Sequence, residues 1–197
     1  MIVIGLTGGI GTGKSTVSQT LGEQGVVIID ADLVGHQAYL PRQNVWQDVV
    51  DAFGKDILGE NDEVDRRKLG PIVFGDPSAL EKLNQIVHPW MYRTMEKMLQ
   101  EEREKGTKAV VLEAAILIEA NWTPLVDQIW VTDATEENVV QRIVARNNFT
   151  AEQVKARIAS QMSAEERKKH ANVVIDTNGT IDEVKTKVKE LWAKAKV

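Results

Sequence analysis

The sequence predicts an α/β fold, a mostly parallel sheet of five strands with helices on both faces. Three observations carry that expectation. Five short runs are apolar almost throughout and rich in Val and Ile, as strands covered on both faces are. The stretches between them are long enough to hold crossover helices. A glycine-rich loop follows the first run and leads into a helical pattern.

The elements follow in order. Ile2-Val3-Ile4-Gly5-Leu6 reads as the first strand and Val26-Val27-Ile28-Ile29 as the second. Ala109-Val110-Val111-Leu112, Gln128-Ile129-Trp130-Val131 and Asn172-Val173-Val174-Ile175 supply the other three. A helix is expected from about Lys14 to Gly25, which closes it. A longer one starts near Asp76-Pro77 and extends toward Glu104, and Pro89 inside it predicts a kink or break at His88. Thr135 suits the N-cap of a helix through Asn147, with Glu136 and Glu137 complementing its dipole. Thr150 with Gln153 spells a capping box for a helix reaching about Met162, and the last helix runs from about Ile181 to Ala195. Pro41 to Gly75 is the most irregular stretch and reads as an insertion between strands two and three. No repeat or low-complexity linker divides the chain, so a single domain is expected. Its parts are a core (1–40, 107–135 and 171–197), an insertion of about 41–106 and a lid region of about 136–170.

Composition narrows the function classes. The 197 residues hold 24 Lys+Arg against 29 Asp+Glu, a net charge of −5, which argues against a general nucleic-acid binder. The absence of cysteine excludes disulfides, Cys-ligated metals and thiol nucleophiles. The apolar run at Met1 to Leu6 breaks at Gly8-Gly9, has no basic segment before it and is far too short to span a bilayer. The expectation is a cytoplasmic protein without membrane or nucleic-acid partners, a monomer or weak homo-oligomer. Asn121-Trp122-Thr123, Asn148-Phe149-Thr150 and Asn178-Gly179-Thr180 spell glycosylation sequons, which carry no meaning without secretion.

The strongest chemical signal is Gly8-Gly9-Ile10-Gly11-Thr12-Gly13-Lys14-Ser15, which matches G-x-x-x-x-G-K-[ST] at every fixed position. Its glycines allow a compact loop whose N–H groups point inward at phosphate oxygens, and the helix N-terminus adds partial positive charge. Gly11, Thr12 and Gly13 therefore belong to a nucleotide-phosphate site. Lys14 is expected on the β- and γ-phosphates, the Ser15 hydroxyl on Mg²⁺, and Thr16 at the α-phosphate. ATP is the expected cosubstrate, with Mg²⁺ arriving on it.

The fate of the phosphate depends on what else lies at the sheet rim. Asp32-Leu33-Val34-Gly35 spells the D-x-x-G of a switch GTPase, but no N-K-x-D occurs, and Asp32 is only 18 residues past Lys14. Asp30 and Asp32 follow strand two, at the rim where open α/β sheets bind ligands. A carboxylate there suits a kinase, because an acceptor hydroxyl must lose a proton during in-line phosphoryl transfer. One aspartate is expected to cap the following helix and the other to act.

Taken together, T-G-G-I-G-T-G-K-S-T, D-A-D and the pair His88-Pro89 resemble the dephospho-CoA kinases, from Ile4 to about Thr180. These enzymes phosphorylate the ribose 3′-hydroxyl of dephospho-CoA with ATP, the last step of coenzyme A synthesis. The resemblance implies a P-loop NTPase sandwich with strand order 2-3-1-4-5, a helical lid and a helical acceptor-binding insertion. It implies that Asp32 is the base and that His88 lines the acceptor site. It also implies that Arg142 and Arg146 are lid arginines, and that Asn178 belongs to the closing stretch of the nucleotide site. Where the family reads Pro-Leu-Leu-Phe-Glu, this chain has Ala115-Ile116-Leu117-Ile118-Glu119, losing the proline but keeping Glu119 for the substrate.

Several roles stay open on the residues themselves. Glu113 ends strand three, where it either reaches Mg²⁺ through water or pairs with a nearby base. His88 is a substrate-binding or Asp32-orienting group, less readily a general base, or else a satisfied core histidine. From Arg142 to Lys169 seven bases face three acids, a local charge of +4 within an acidic chain. Arg142 is expected to stabilise the transferring phosphoryl or stack on adenine, with Arg146 four residues on along the same face; the alternative for both is a solvated helix arginine. Arg167-Lys168-Lys169 reads as a solvated face. Rival readings are another small-acceptor nucleoside or nucleotide kinase, or a non-catalytic ATP-binding switch.

Overall fold

The computed structural model describes residues 1–41, 43–147 and 149–195; Asn148 of the second sequon lies outside them. Its parallel sheet runs β1 (Ile2–Gly8), β2 (Val27–Asp30), β3 (Ala109–Glu113), β4 (Gln128–Asp133) and β5 (Val173–Asp176). The spatial order is β2-β3-β1-β4-β5, as the family resemblance implies. Strands two and five each begin and end one residue later than the hydrophobic runs suggest, because their terminal aspartates still pair across the sheet. The helices are α1 (Lys14–Glu23), α2 (Ala31–Gln37), α3 (Asn44–Phe53), α4 (Arg66–Gly75), α5 (Pro77–Glu104), α6 (Glu136–Arg146), α7 (Ala151–Ala159), α8 (Ala164–Lys169) and α9 (Ile181–Lys194).

The chain divides into two compact units, one of Met1–Asp30 with everything from Leu99 onward, the other Ala31–Met98. In the first, Ile4, Leu6, Val111, Trp130 and Ile175 of the sheet pack with Val17 and Leu21 of α1 and Val184 and Val188 of α9. Trp122 and Trp130 are both fully buried. Removing such a side chain from water stabilises by about 2–3 kcal/mol. A satellite cluster joins Val139 and Ile143 of α6 to Val154 of α7, with Ile10 of the glycine-rich loop against it. That contact ties the loop to the helices that follow β4.

The second unit is helical. Pro41–Gly75 is more ordered than its irregular pattern suggests, for it holds α3 and α4. Val45, Val49 and Val50 bury one face of α3, and Asp65 caps α4 by accepting from Arg67 N. A single bridge, Leu58 to Val64, closes the turn between them. Helix α5 does not break at His88. It continues through Pro89, with Leu83, Val87, Met91, Met95 and Leu99 buried at every fourth position. That buried stripe offsets the missing hydrogen bond of the proline, which costs about 3 kcal/mol in an unsupported helix.

Candidate active site

The loop after β1 takes its shape from two glycines. Gly11 (φ 72°) and Gly13 (φ 88°) adopt the left-handed region, which gives the chain the tight turns of a glycine-rich loop. Gly13 also occupies the cap position of α1, so no side chain occludes the helix N-terminus. Ser15 is exposed on the first turn, and Lys14 and Thr16 are half-buried beside it. Lys14 Nζ donates to Gly8 O at 2.8 Å and Gly9 O at 3.3 Å, folding the ammonium over the loop.

Buried threonines hold this loop from behind. Thr12 Oγ1 lies 2.8 Å from Gly9 O and 2.7 Å from Thr132 Oγ1 on β4. Thr177 Oγ1 lies 2.8 Å from Thr12 O and 3.1 Å from Asp133 O. Each such bond contributes about 1 kcal/mol net, and losing one strands a buried partner. Thr132 and Thr177 escaped the sequence reading, because their contacts with Thr12 span 120 and 165 residues.

The sheet register sets the carboxylates of the rim. Glu113 pairs with Leu6 of β1 on one side and with Asp30 of β2 on the other, so Glu113 ends the strand beside the glycine-rich loop's own strand and Asp30 the strand after that. Asp32 lies in the first turn of α2 with an exposed side chain. His88 sits half-buried on α5, and burial pushes its imidazole below its usual pKa. The unfolded chain protonates His88 near pH 6.5 and the folded chain only at lower pH, so stability falls as pH drops through that window. Chemical denaturation between about pH 7.5 and 5 should therefore show a shallower slope for His88→Gln. An unchanged slope would assign the loss to other groups.

The lid candidates divide. Arg142 turns back from α6 onto β5, its Nη1 3.4 Å from Thr177 Oγ1 and its Nη2 donating to Thr177 O. Its guanidinium thus rests beside the threonine that pins Thr12. Arg146 is exposed at the end of α6. Asn178 closes the turn after β5. Its Oδ1 accepts from Thr135 N and Asn138 Nδ2, both at 2.8 Å, and its Nδ2 donates to Asp176 Oδ1 at 2.6 Å. That amide positions the start of α6.

The run at 167–169 is divided: Lys169 is on a solvated face, Lys168 is half-buried and Arg167 is buried. Arg167 is only 3% exposed, and its Nη2 donates to Glu119 Oε1 at 3.1 Å. Lys168 Nζ reaches Asp133 Oδ2 at 2.6 Å, an ion pair that raises the pKa of the lysine. Helix α7 stops at Ala159, short of Met162, and Ser163 caps the separate short helix α8, on which Arg167 turns inward. In the turn between them, Gln161 Oε1 accepts from Ile10 N at 2.8 Å. Gly9, Ile10, Thr12, Gln161 and Arg167 border a cavity of about 360 Å³.

Comparison with known proteins points in one direction. A family model described as dephospho-CoA kinase matches residues 2–183. A curated dephospho-CoA kinase of Carboxydothermus hydrogenoformans is 44% identical over 194 residues, 98% of this chain and 94% of that one. A crystal structure from Thermus thermophilus is 32% identical with a TM-score of 0.81, covering 100% of this chain and 98% of the other. The dephospho-CoA kinase of Campylobacter jejuni is 25% identical with a TM-score of 0.75, covering 98% and 96%. No helix among the described residues is long and apolar enough to cross a membrane.

Proposed function

The chain belongs to the dephospho-CoA kinase family, and from that premise we propose that it moves the γ-phosphoryl group of ATP onto the ribose 3′-hydroxyl of dephospho-CoA. The products are coenzyme A and ADP. The observation that carries this reading is the loop Gly8–Ser15, with two left-handed glycines, an open helix N-terminus and Lys14 folded over it. Backbone N–H groups of residues 11 to 16 hold the ATP phosphates.

The acceptor 3′-hydroxyl gives its proton to Asp32 while its oxygen bonds to the γ-phosphorus. The bond from that phosphorus to the β,γ-bridging oxygen breaks, and its electron pair leaves with ADP. Lys14 and Arg142 stabilise the charge on the moving phosphoryl, and Arg142 and Asn178 frame the nucleotide end. Arg146 closes on the nucleotide with the lid segment of about 136–170, excluding water. Residues of about 41–106 bind the acceptor, with His88 as a contact, and Glu119 serves the substrate side through its hold on Arg167. The donors present fit a magnesium ion bound with ATP: the exposed Ser15 hydroxyl directly and Glu113 through water. Such an ion neutralises charge on the β- and γ-phosphates.

A coupled ATP-consumption assay tests this reading with dephospho-CoA, dAMP, AMP and nucleosides as acceptors. Dephospho-CoA should exceed every other acceptor in kcat/KM by about 100-fold or more, because a site built for its polar groups rejects ligands that leave them unpaired. Phosphorus NMR of the product should place the new phosphate on the 3′-oxygen. Turnover with AMP far above dephospho-CoA would overturn the acceptor assignment and leave the phosphate site standing.

A further inference from the structure

Arg167 is a costly residue for a purely structural role. It is 3% exposed, and its Nε is buried with no hydrogen-bond partner among the described residues. A buried guanidinium satisfied by one carboxylate oxygen stabilises a fold poorly, since desolvation consumes much of the Coulombic gain. Apolar residues surround much of the same cavity, and a methionine would fill the space without that penalty. A buried cation with an orphan donor calls for an explanation in terms of what it meets.

Its position supplies one. A Cβ built on Gly9 would lie 3.6 Å from Arg167 Nη1, so the guanidinium stands against the glycine-rich loop itself. Lys14 Nζ donates to the carbonyl of that same Gly9 at 3.3 Å. Two cations, from α1 and α8, thus converge on one residue of the phosphate loop. Gly9, Ile10 and Arg167 line one cavity of about 360 Å³, which Asp133 and Glu136 also border.

Three contacts hold Arg167 in place relative to the loop. Gln161 fastens the α7–α8 turn to Ile10 N, Lys168 ties α8 to Asp133 on β4, and Glu119 orients the guanidinium. A charge fixed in advance needs no reorganisation as the reaction proceeds, which is the condition for strong stabilisation of a transition state.

The geometry points to Arg167 as a catalytic residue that contacts the γ-phosphoryl group during transfer, with Gln161 and Glu119 as its positioning residues. The assignment rests on the kinase reading and adds to it a second cation for the reacting phosphate. Atoms and protons move as in the transfer described above; Arg167 donates hydrogen bonds to the equatorial phosphoryl oxygens and exchanges no proton.

The test compares wild type with Arg167→Gln and Arg167→Lys. For each, one measures kcat with dephospho-CoA, the Kd of ATP, the Kd of ADP with aluminium fluoride in the presence of dephospho-CoA, and Tm. Both variants should bind ATP within about threefold of wild type. Arg167→Gln should lose about 100-fold in kcat, as removal of one oxyanion donor does, with a matching loss of affinity for the aluminium fluoride complex. Arg167→Lys keeps the charge but not the planar donor fork, so its loss should still exceed about tenfold. A structural residue would instead move the two affinities by one factor, or leave kcat within about threefold; either result overturns the assignment. Should Arg167→Gln not fold, the ratio of the two affinities in Arg167→Lys decides. A wild type that prefers another acceptor overturns the acceptor reading alone, and the same ratios are then read with that acceptor. A wild type that phosphorylates none overturns both.

Discussion

Asp32→Asn is expected to lower kcat for dephospho-CoA by about a thousandfold, within the range that a positioned general base contributes. Asparagine matches aspartate in shape but cannot take a proton, so the loss should fall on the chemical step. Asp32 is exposed in the first turn of α2, where the amide meets no packing penalty. The change forfeits a favourable charge at a helix N-terminus, which is about 0.3–1 kcal/mol. Tm should therefore shift by only a few degrees, and the Kd of ATP should stay within about threefold. Steady-state kinetics beside direct ATP binding checks this. Full phosphotransfer by the variant to every acceptor would refute the base assignment, and a parallel collapse of ATP affinity would turn Asp32 into a nucleotide ligand.

That prediction rests on residues legible in the sequence, and the contrast with those that were not is physical. The strands are legible because a sheet covered on both faces demands apolar runs, and Val110, Val111 and Leu112 are fully buried. The phosphate loop is legible because its chemistry is local, with eight consecutive residues supplying turn, donors and cation. Strand order is not a local property, and here it followed from family resemblance. Thr150 and Thr180 both stand in capping boxes, three residues from the partner that completes each. Arg167 was misread for the opposite reason. Its partner Glu119 lies 48 residues away, and a basic triplet resembles a solvated face wherever the chain has turned to bury one member. Pro89 shows local propensity overridden by burial, since the stripe from Leu83 to Leu99 keeps α5 helical through it.

Gly8→Ala should cripple nucleotide binding through a single methyl group. A Cβ on Gly8 would lie 2.1 Å from Thr132 Oγ1, 2.7 Å from Thr12 Oγ1 and 2.9 Å from Thr132 O. None of these is the free end of a flexible chain. The two hydroxyls lie 2.7 Å from each other in the buried network behind the loop, and the third atom is backbone of β4. The strand register pairs Gly8 with Thr132, so β1 cannot move aside without disturbing its ladder with β4. The strain must go into the loop, displacing the N–H groups that would meet phosphate. Overpacking of this kind costs about 1–3 kcal/mol, a fall in Tm of about 2–12 °C for a chain of this size. A displacement near 1 Å in such a cradle costs about 100-fold, so the Kd of ATP should rise by at least that factor. Thr132→Ala added to Gly8→Ala removes the closest clash but leaves Thr12 Oγ1 and the backbone carbonyl, so rescue should be partial. Calorimetric titration of ATP into both variants, with melting curves alongside, decides the matter: an unimpaired Gly8→Ala would show that the loop is not held by the threonine network, and a fully restored double variant would confine the strain to one hydroxyl.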